Sequence, residues 1–130
     1  QYFNELTDGA YPYLPEGVFL THAHIGHYSG LMLLGREALG AKGVKVYGLP
    51  RMIAFLETNG PWSQLVKLGN INPIVLSRDL EVKLDDDLLV EAFTVPHRDE
   101  FSETAGYKIS KRQKSYLFIP DIDKWSKWDR

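Results

Sequence analysis

Three of the chain's four histidines, His22, His24 and His27, fall within six residues, directly behind the apolar run GVFL. The fourth, His97, follows a second apolar run, FTVP, and Asp121 follows a third, LFIP. Short apolar runs bounded by turn signals read as buried strands. Each of these three strands therefore ends in a metal-type ligand. In extended backbone, residues i and i+2 point to the same side, so His22 and His24 can aim two imidazoles at one point. His27 lies where the loop turns toward the next element and can return to that point from another direction. Neutral imidazole suits zinc, whereas converging imidazoles without a cation would leave ring nitrogens short of partners in a partly buried loop. A fold that uses all three strand ends must bring them to one edge, where ligand sites in α/β sheets commonly lie. Taken singly, each feature has an ordinary alternative. His97 could be a loop histidine paired with Asp99 or Glu100, and Asp121 could be a turn or cap residue.

The remaining pattern supports a layered α/β chain. The opening, residues 1–17, is turn-rich, with Pro12 and Pro15. GVFLT reads as a short strand. Residues 28–43 carry Leu31, Leu34, Ala38 and Leu39 at helical spacing, with Gly40 and Gly43 as stop signals. VKVYGLP alternates like a strand. RMIAFLETNG reads as a helix stopped by Asn59-Gly60, and PWSQLVKLGN as a second short helix opened by Pro61. NPIVLS, LEVKL and LLVEAFTV read as strands, and AGYKISKRQKSYLFIP as a hairpin around a basic turn. A mixed sheet with helices on its faces is the expected arrangement.

Composition narrows the function classes. Fifteen basic against 17 acidic residues, a net charge of -2, leave no electrostatic footprint for nucleic acid or an anionic membrane. No apolar run approaches the roughly 20 residues that span a bilayer. Without cysteine there is neither a disulfide nor a thiolate metal site. The acidic run at 84–89 reads as a solvated turn and the KRQK stretch as a hairpin tip. Trp62, Trp125 and Trp128 are expected to pack rather than line a pocket. Asp99 and Glu100 are both candidates for orienting His97, since metal-bound histidines usually need such a partner.

These residues resemble the metallo-β-lactamase fold superfamily. Its first motif is His-x-His-x-Asp-His after a strand, usually preceded by Thr. Here the stretch reads Thr21-His22-Ala23-His24-Ile25-Gly26-His27. The later single-histidine motif matches His97, and the bridging acidic ligand matches Asp121. The wider wording THAHIGHYSGL, VPHRDEFSETAGY and LFIPDIDKW is similar to the branch related to pyrroloquinoline quinone biosynthesis protein B. The resemblance implies an α/β fold, an αββα sandwich of which this chain would be a part, lacking upstream strands and the C-terminal half. It implies that His22, His24 and His97 hold a first metal, that Asp121 completes or bridges the site and assists catalysis, and that His27 belongs to a second metal. The departure is Gly26, where the family has Asp. Glycine supplies no ligand, which points to a site for one ion.

The expected activity is a metal-dependent hydrolase acting on a small-molecule or peptide substrate, with zinc as cofactor. An iron-dependent oxidative enzyme linked to quinone-cofactor biosynthesis, or a non-catalytic binding relative, are the alternatives.

Overall fold

The computed structural model describes residues 14–129; of the turn-rich opening expected over 1–17, residues 1–13 lie outside them. The described residues form seven strands: β1 (Gly17–Phe19), β2 (Val44–Gly48), β3 (Ile71–Val75), β4 (Glu81–Asp85), β5 (Leu88–Thr94), β6 (Ala105–Lys111) and β7 (Lys114–Phe118). Two α-helices, α1 (Pro50–Thr58) and α2 (Trp62–Lys67), join β2 to β3. Short 3-10 segments cover Ile25–His27, Ser29–Leu34 and Trp125–Lys127.

The strands divide into two sheets. β1, β2 and β3 pair in parallel in that order, and β4, β5, β6 and β7 form an antiparallel sheet. This corrects the mixed sheet read from the residue pattern and agrees with the two sheets of the αββα sandwich that the resemblance implies. Parallel strands need long crossovers, which the segment after β1 and the α1–α2 pair provide. Tight connections such as those between β4 and β5 and between β6 and β7 can only join antiparallel neighbours. The two kinds of connection are segregated along the chain, and so are the sheets.

Side-chain alternation along β2 explains why the sheets stack. Val44 and Val46 face the helical layer, in a core with Leu31, Leu34, Met52, Ile53, Leu56 and Leu65. Tyr47 and the following Leu49 face the other way, against Val90, Ala92, Ala105 and Tyr107 of the antiparallel sheet. One strand thus serves two cores through its period of two. Helix α1 buries Met52, Ile53 and Leu56 along one stripe, and Pro50 sits at its first position, where a missing N–H costs nothing. The helix layer, parallel sheet and antiparallel sheet supply three successive layers of the expected αββα sandwich. On the outer face of the antiparallel sheet, Trp128 stacks on Phe93 with ring centroids 5.4 Å apart. Its indole N–H donates to the Thr94 carbonyl at 3.2 Å. Trp62 meets Tyr28 edge-on at 5.0 Å. These two tryptophans therefore pack. Trp125 touches Trp128 at 5.6 Å but is exposed.

The helix expected over 28–43 does not form. The structure has a 3-10 segment, Ser29–Leu34, followed by turns in which Ala38 and Gly40 N–H groups both donate to the Gly35 carbonyl. Leu31 and Leu34 are its buried residues, and a spacing of three is the 3-10 repeat. Glycines at 30, 35 and 40 weaken an α-helix by about 1 kcal/mol each relative to alanine. Gly40, at φ +57°, adopts a left-handed conformation that ends any helix there. Among the described residues no helix is long and apolar enough to cross a membrane.

Candidate metal centre

β1 runs into the histidine loop, and the loop is tied down on both sides. The Leu20 N–H donates to the Tyr47 carbonyl at 2.9 Å, extending the parallel ladder by one residue. On the other side, the Tyr107 hydroxyl donates to the Leu20 carbonyl and the Ala105 N–H to the Thr21 carbonyl at 2.9 Å. The Ala23 N–H donates to Ser102 Oγ at 2.8 Å. Residues 20–23 therefore bridge the two sheets at one end of the sandwich, and residues 102–105, on the approach to β6, fix where His22 and His24 point.

His22, His24, His27 and His97 converge. The ring of His22 lies 4.5 Å from His24, 4.2 Å from His27 and 5.1 Å from His97, centroid to centroid, and His24 lies 5.0 Å from His97. Two ligand groups result. One nitrogen from each of His22, His24 and His97 forms the first; His22, His27 and Asp121 form the second. In each group the donor atoms lie within 4.8 Å of one another. Asp121 Oδ2 is 2.9 Å from His27 Nε2 and 3.4 Å from His22 Nε2. The structure thus gathers all five residues singled out in the sequence, from three separate chain segments.

The electrostatics favour neutral imidazole at the heart of the cluster. His22 is 1% exposed. Burial, reinforced by the neighbouring His27, His24 and His97 and opposed by Asp121, lowers its pKa from 6.5 to about 4. Its Nδ1 lies 3.1 Å from Thr21 Oγ1. Its Nε2 is buried without a hydrogen bond, 3.4 Å from Asp121 Oδ2.

The outer nitrogens of the other two ligands meet carboxylates. His97 Nδ1 is 3.0 Å from Asp123 Oδ1, and His24 Nε2 is 3.0 Å from Glu100 Oε2. That hydrogen bond from His24 is the main reason the Glu100 carboxyl is held below its ordinary range. These pairings correct the expectation that Asp99 or Glu100 orients His97. Arg51, in the first turn of α1, takes Asp99 instead: its Nη1 donates to Asp99 Oδ2 at 3.4 Å and its Nη2 to the Asp99 carbonyl at 2.8 Å. Glu100, one residue on, reaches His24. Asp123 drew no attention in the sequence. Its one signal is its position two residues after Asp121.

The donor set fits a cation. The buried Nε2 of His22 lacks a hydrogen-bond partner, and an orphaned buried polar atom is costly. The facing nitrogens, His97 Nε2 and His24 Nδ1, lie 3.3 Å apart. Two nitrogens each about 2.0–2.1 Å from a tetrahedral zinc would be separated by roughly 3.4 Å. Gly26, in the 3-10 turn between His24 and His27, offers no ligand, and a Cβ built there meets nothing within 4 Å.

Residues 11–129 match the family model for the Beta-lactamase superfamily domain. The chain belongs to the beta-lactamase superfamily. The Zn(2+)-bound PqqB from Methylobacterium extorquens superposes with a TM-score of 0.66 at 20% identity, over 82% of this chain and 38% of that one. The unliganded yeast PDE1 superposes with a TM-score of 0.63 at 18% identity, over 82% of this chain and 34% of that one. At such identities the likeness is one of fold, and at that level the expected resemblance to PqqB holds. The chain spans little more than a third of the length of either solved relative. No curated protein sequence matches it.

Proposed function

We propose that this chain carries the metal-holding end of a metal-dependent hydrolase, with His22, His24 and His97 as nitrogen ligands to a single zinc. The observation that carries this reading is the convergence of three imidazoles around the buried, unpartnered Nε2 of His22. The zinc stated for PqqB supports the choice of metal for a similar fold. When bound, such an ion would lower the pKa of a coordinated water to about 7 and supply a nucleophile near neutral pH. The chain's own residues would do the rest. Burial keeps His22 neutral, so its nitrogen lone pair is available above pH 4. Asp121 sits between His22 and His27, where its carboxylate can accept a proton from the attacking water and His27 can share the charge. A small-molecule or peptide substrate would approach from the open side, past His27 and Gly26.

A second reading is oxidative, with iron in place of zinc. Imidazoles plus one carboxylate with open positions are also the ligand set of non-haem iron enzymes, and the fold shared with PqqB is compatible with a role in quinone-cofactor biosynthesis. A non-catalytic binding relative is the third reading; the loss of a ligand at Gly26 favours it, and the intact histidine cluster counts against it. The test is to assay full-length protein, loaded with zinc or with ferrous iron, on ester, amide, thioester and phosphodiester substrates while monitoring oxygen uptake. Zinc-dependent hydrolysis that disappears in His24→Ala is the expected result. Iron-dependent oxygen consumption without hydrolysis would replace it with the oxidative reading, and inertness of both forms would leave the binding role.

A further inference from the structure

The carboxylates behind His24 and His97 do more than fill space. We propose that Asp123 and Glu100 are positioning residues that select the imidazole tautomers, so that His97 presents Nε2 and His24 presents Nδ1 to the ion, with Asp123 the stronger of the two. This rests on the metal-site reading above and extends it to two residues outside the ligand set.

A neutral imidazole carries one N–H, and an ionised carboxylate can only accept. The proton on each ring is therefore drawn to the nitrogen that faces the carboxylate. In His97 that nitrogen is Nδ1, 3.0 Å from Asp123; in His24 it is Nε2, 3.0 Å from Glu100. The nitrogens left bare are His97 Nε2 and His24 Nδ1, which face each other at 3.3 Å. Were either carboxylate absent, one ring could flip its proton inward and close a hydrogen bond to the other, which would satisfy the pair without any cation. With both carboxylates in place, two lone pairs confront each other, and only a positive charge between them relieves the conflict. The carboxylates thus keep the pocket in the protonation pattern that a cation requires.

The two clamps differ in how firmly they are held. Asp123 is anchored three ways. Its side chain meets His97, its backbone N–H donates to the Pro96 carbonyl at 2.8 Å, and its Oδ2 lies 3.7 Å from Lys127. Lys127 adjoins Trp128, which is itself pinned to Thr94 and Phe93. Glu100 meets His24, its own backbone N–H and, at 3.7 Å, the guanidinium of Arg98, and its side chain is 48% exposed. Water can replace Glu100 more readily than Asp123. The Asp123 contacts also latch residues 121–123 onto the strand end at Pro96, so the residue that orients His97 helps place Asp121.

The test reads the tautomers directly. In metal-free full-length protein with 15N-labelled histidine, studied above the ordinary imidazole pKa of about 6.5, His97 should carry its proton on Nδ1 and His24 on Nε2. Asp123→Ala should shift His97 toward the Nε2–H form and weaken zinc binding about 10- to 100-fold in chelator competition. Glu100→Ala should do the same to His24 with a smaller loss. The parent spectrum stands even if Asp123→Ala fails to fold. Finding the His97 proton on Nε2 in the parent, or an Asp123→Ala protein with unchanged tautomer and zinc affinity, would overturn the proposal. The stated tautomers in a protein that takes up no zinc would defeat the metal reading and leave the tautomer assignment standing.

Discussion

The two corners of the histidine cluster are built differently. In the first, His22 is buried, His24 and His97 are partly buried, and the outer nitrogens of His24 and His97 both meet carboxylates. The loop that bears the first two is sewn to the approach to β6 by Ser102, Ala105 and Tyr107. In the second, His27 is more exposed, it meets the Asp121 carboxylate and the His22 ring, and the neighbouring residue is glycine with open space around it. Ordered, desolvated donors hold an ion because little entropy is lost on binding and the field is not screened. Exposed donors with an open position do neither. On the proposed metal reading, the difference makes the four histidines one strong site with a loose neighbour rather than two equal ones.

The largest expected effect divides the corners outright. His24→Ala should abolish stoichiometric zinc uptake by the full-length protein, while His27→Ala should retain close to the parent amount. Equal losses in the two variants, measured by elemental analysis after dialysis, would erase the distinction.

The next concerns the buried imidazole. A histidine with a folded pKa of about 4 against an ordinary 6.5 binds its proton less readily when folded. Its contribution is intact above pH 6.5 and is lost as the pH falls toward 4; protonation of the unfolded chain then favours unfolding by about 3 kcal/mol in total. Denaturant melts of metal-free protein at several pH values across this window should show stability rising with pH. A flat profile would mean that His22 is not desolvated.

A smaller change tests how the first corner is anchored. Ser102→Ala removes the acceptor for the Ala23 N–H, beside a buried histidine. Leaving that amide unpaired should cost about 1–3 kcal/mol and weaken zinc binding with it. Full stability and full affinity in this variant would show that the loop is held elsewhere.

The smallest effect is an addition. Gly26→Asp places a carboxylate beside His27 and Asp121 in space that is already open, and should raise zinc stoichiometry from near one toward two with little change in stability. An unchanged metal content would show that the missing carboxylate is not what keeps the second corner weak.

How much of this was legible in the sequence depends on how local each feature is. The strands of β5 and β6 announced themselves through apolar, β-branched and aromatic runs, and α1 through the RMIAFLETNG stretch stopped by Asn59-Gly60, though its start at Pro50 did not. His22, His24, His97 and Asp121 stood out because each follows such a run. The segment 28–43 misled, since Leu31 and Leu34 satisfy a 3-10 repeat as well as an α-helical one and the glycines decide between them. The division into two sheets was hidden from the residue pattern, because strand pairing depends on partners far along the chain, and was implied only by the resemblance to an αββα sandwich. Asp123 was hidden for the same reason. Its role is set by the Pro96 carbonyl and the His97 ring, 26 or more residues earlier, and nothing in the DID stretch marks the second aspartate over the first.

On the proposed reading, His22, His24 and His97 together hold one ion. X-ray absorption spectroscopy on full-length protein purified without added metal tests it most directly. The expected result is about one zinc per chain, ligated by three imidazole nitrogens at roughly 2.0–2.1 Å with oxygen completing the shell, and loss of that signature in His97→Ala. A protein without stoichiometric metal, or with an ion held mainly by oxygen ligands, would contradict it.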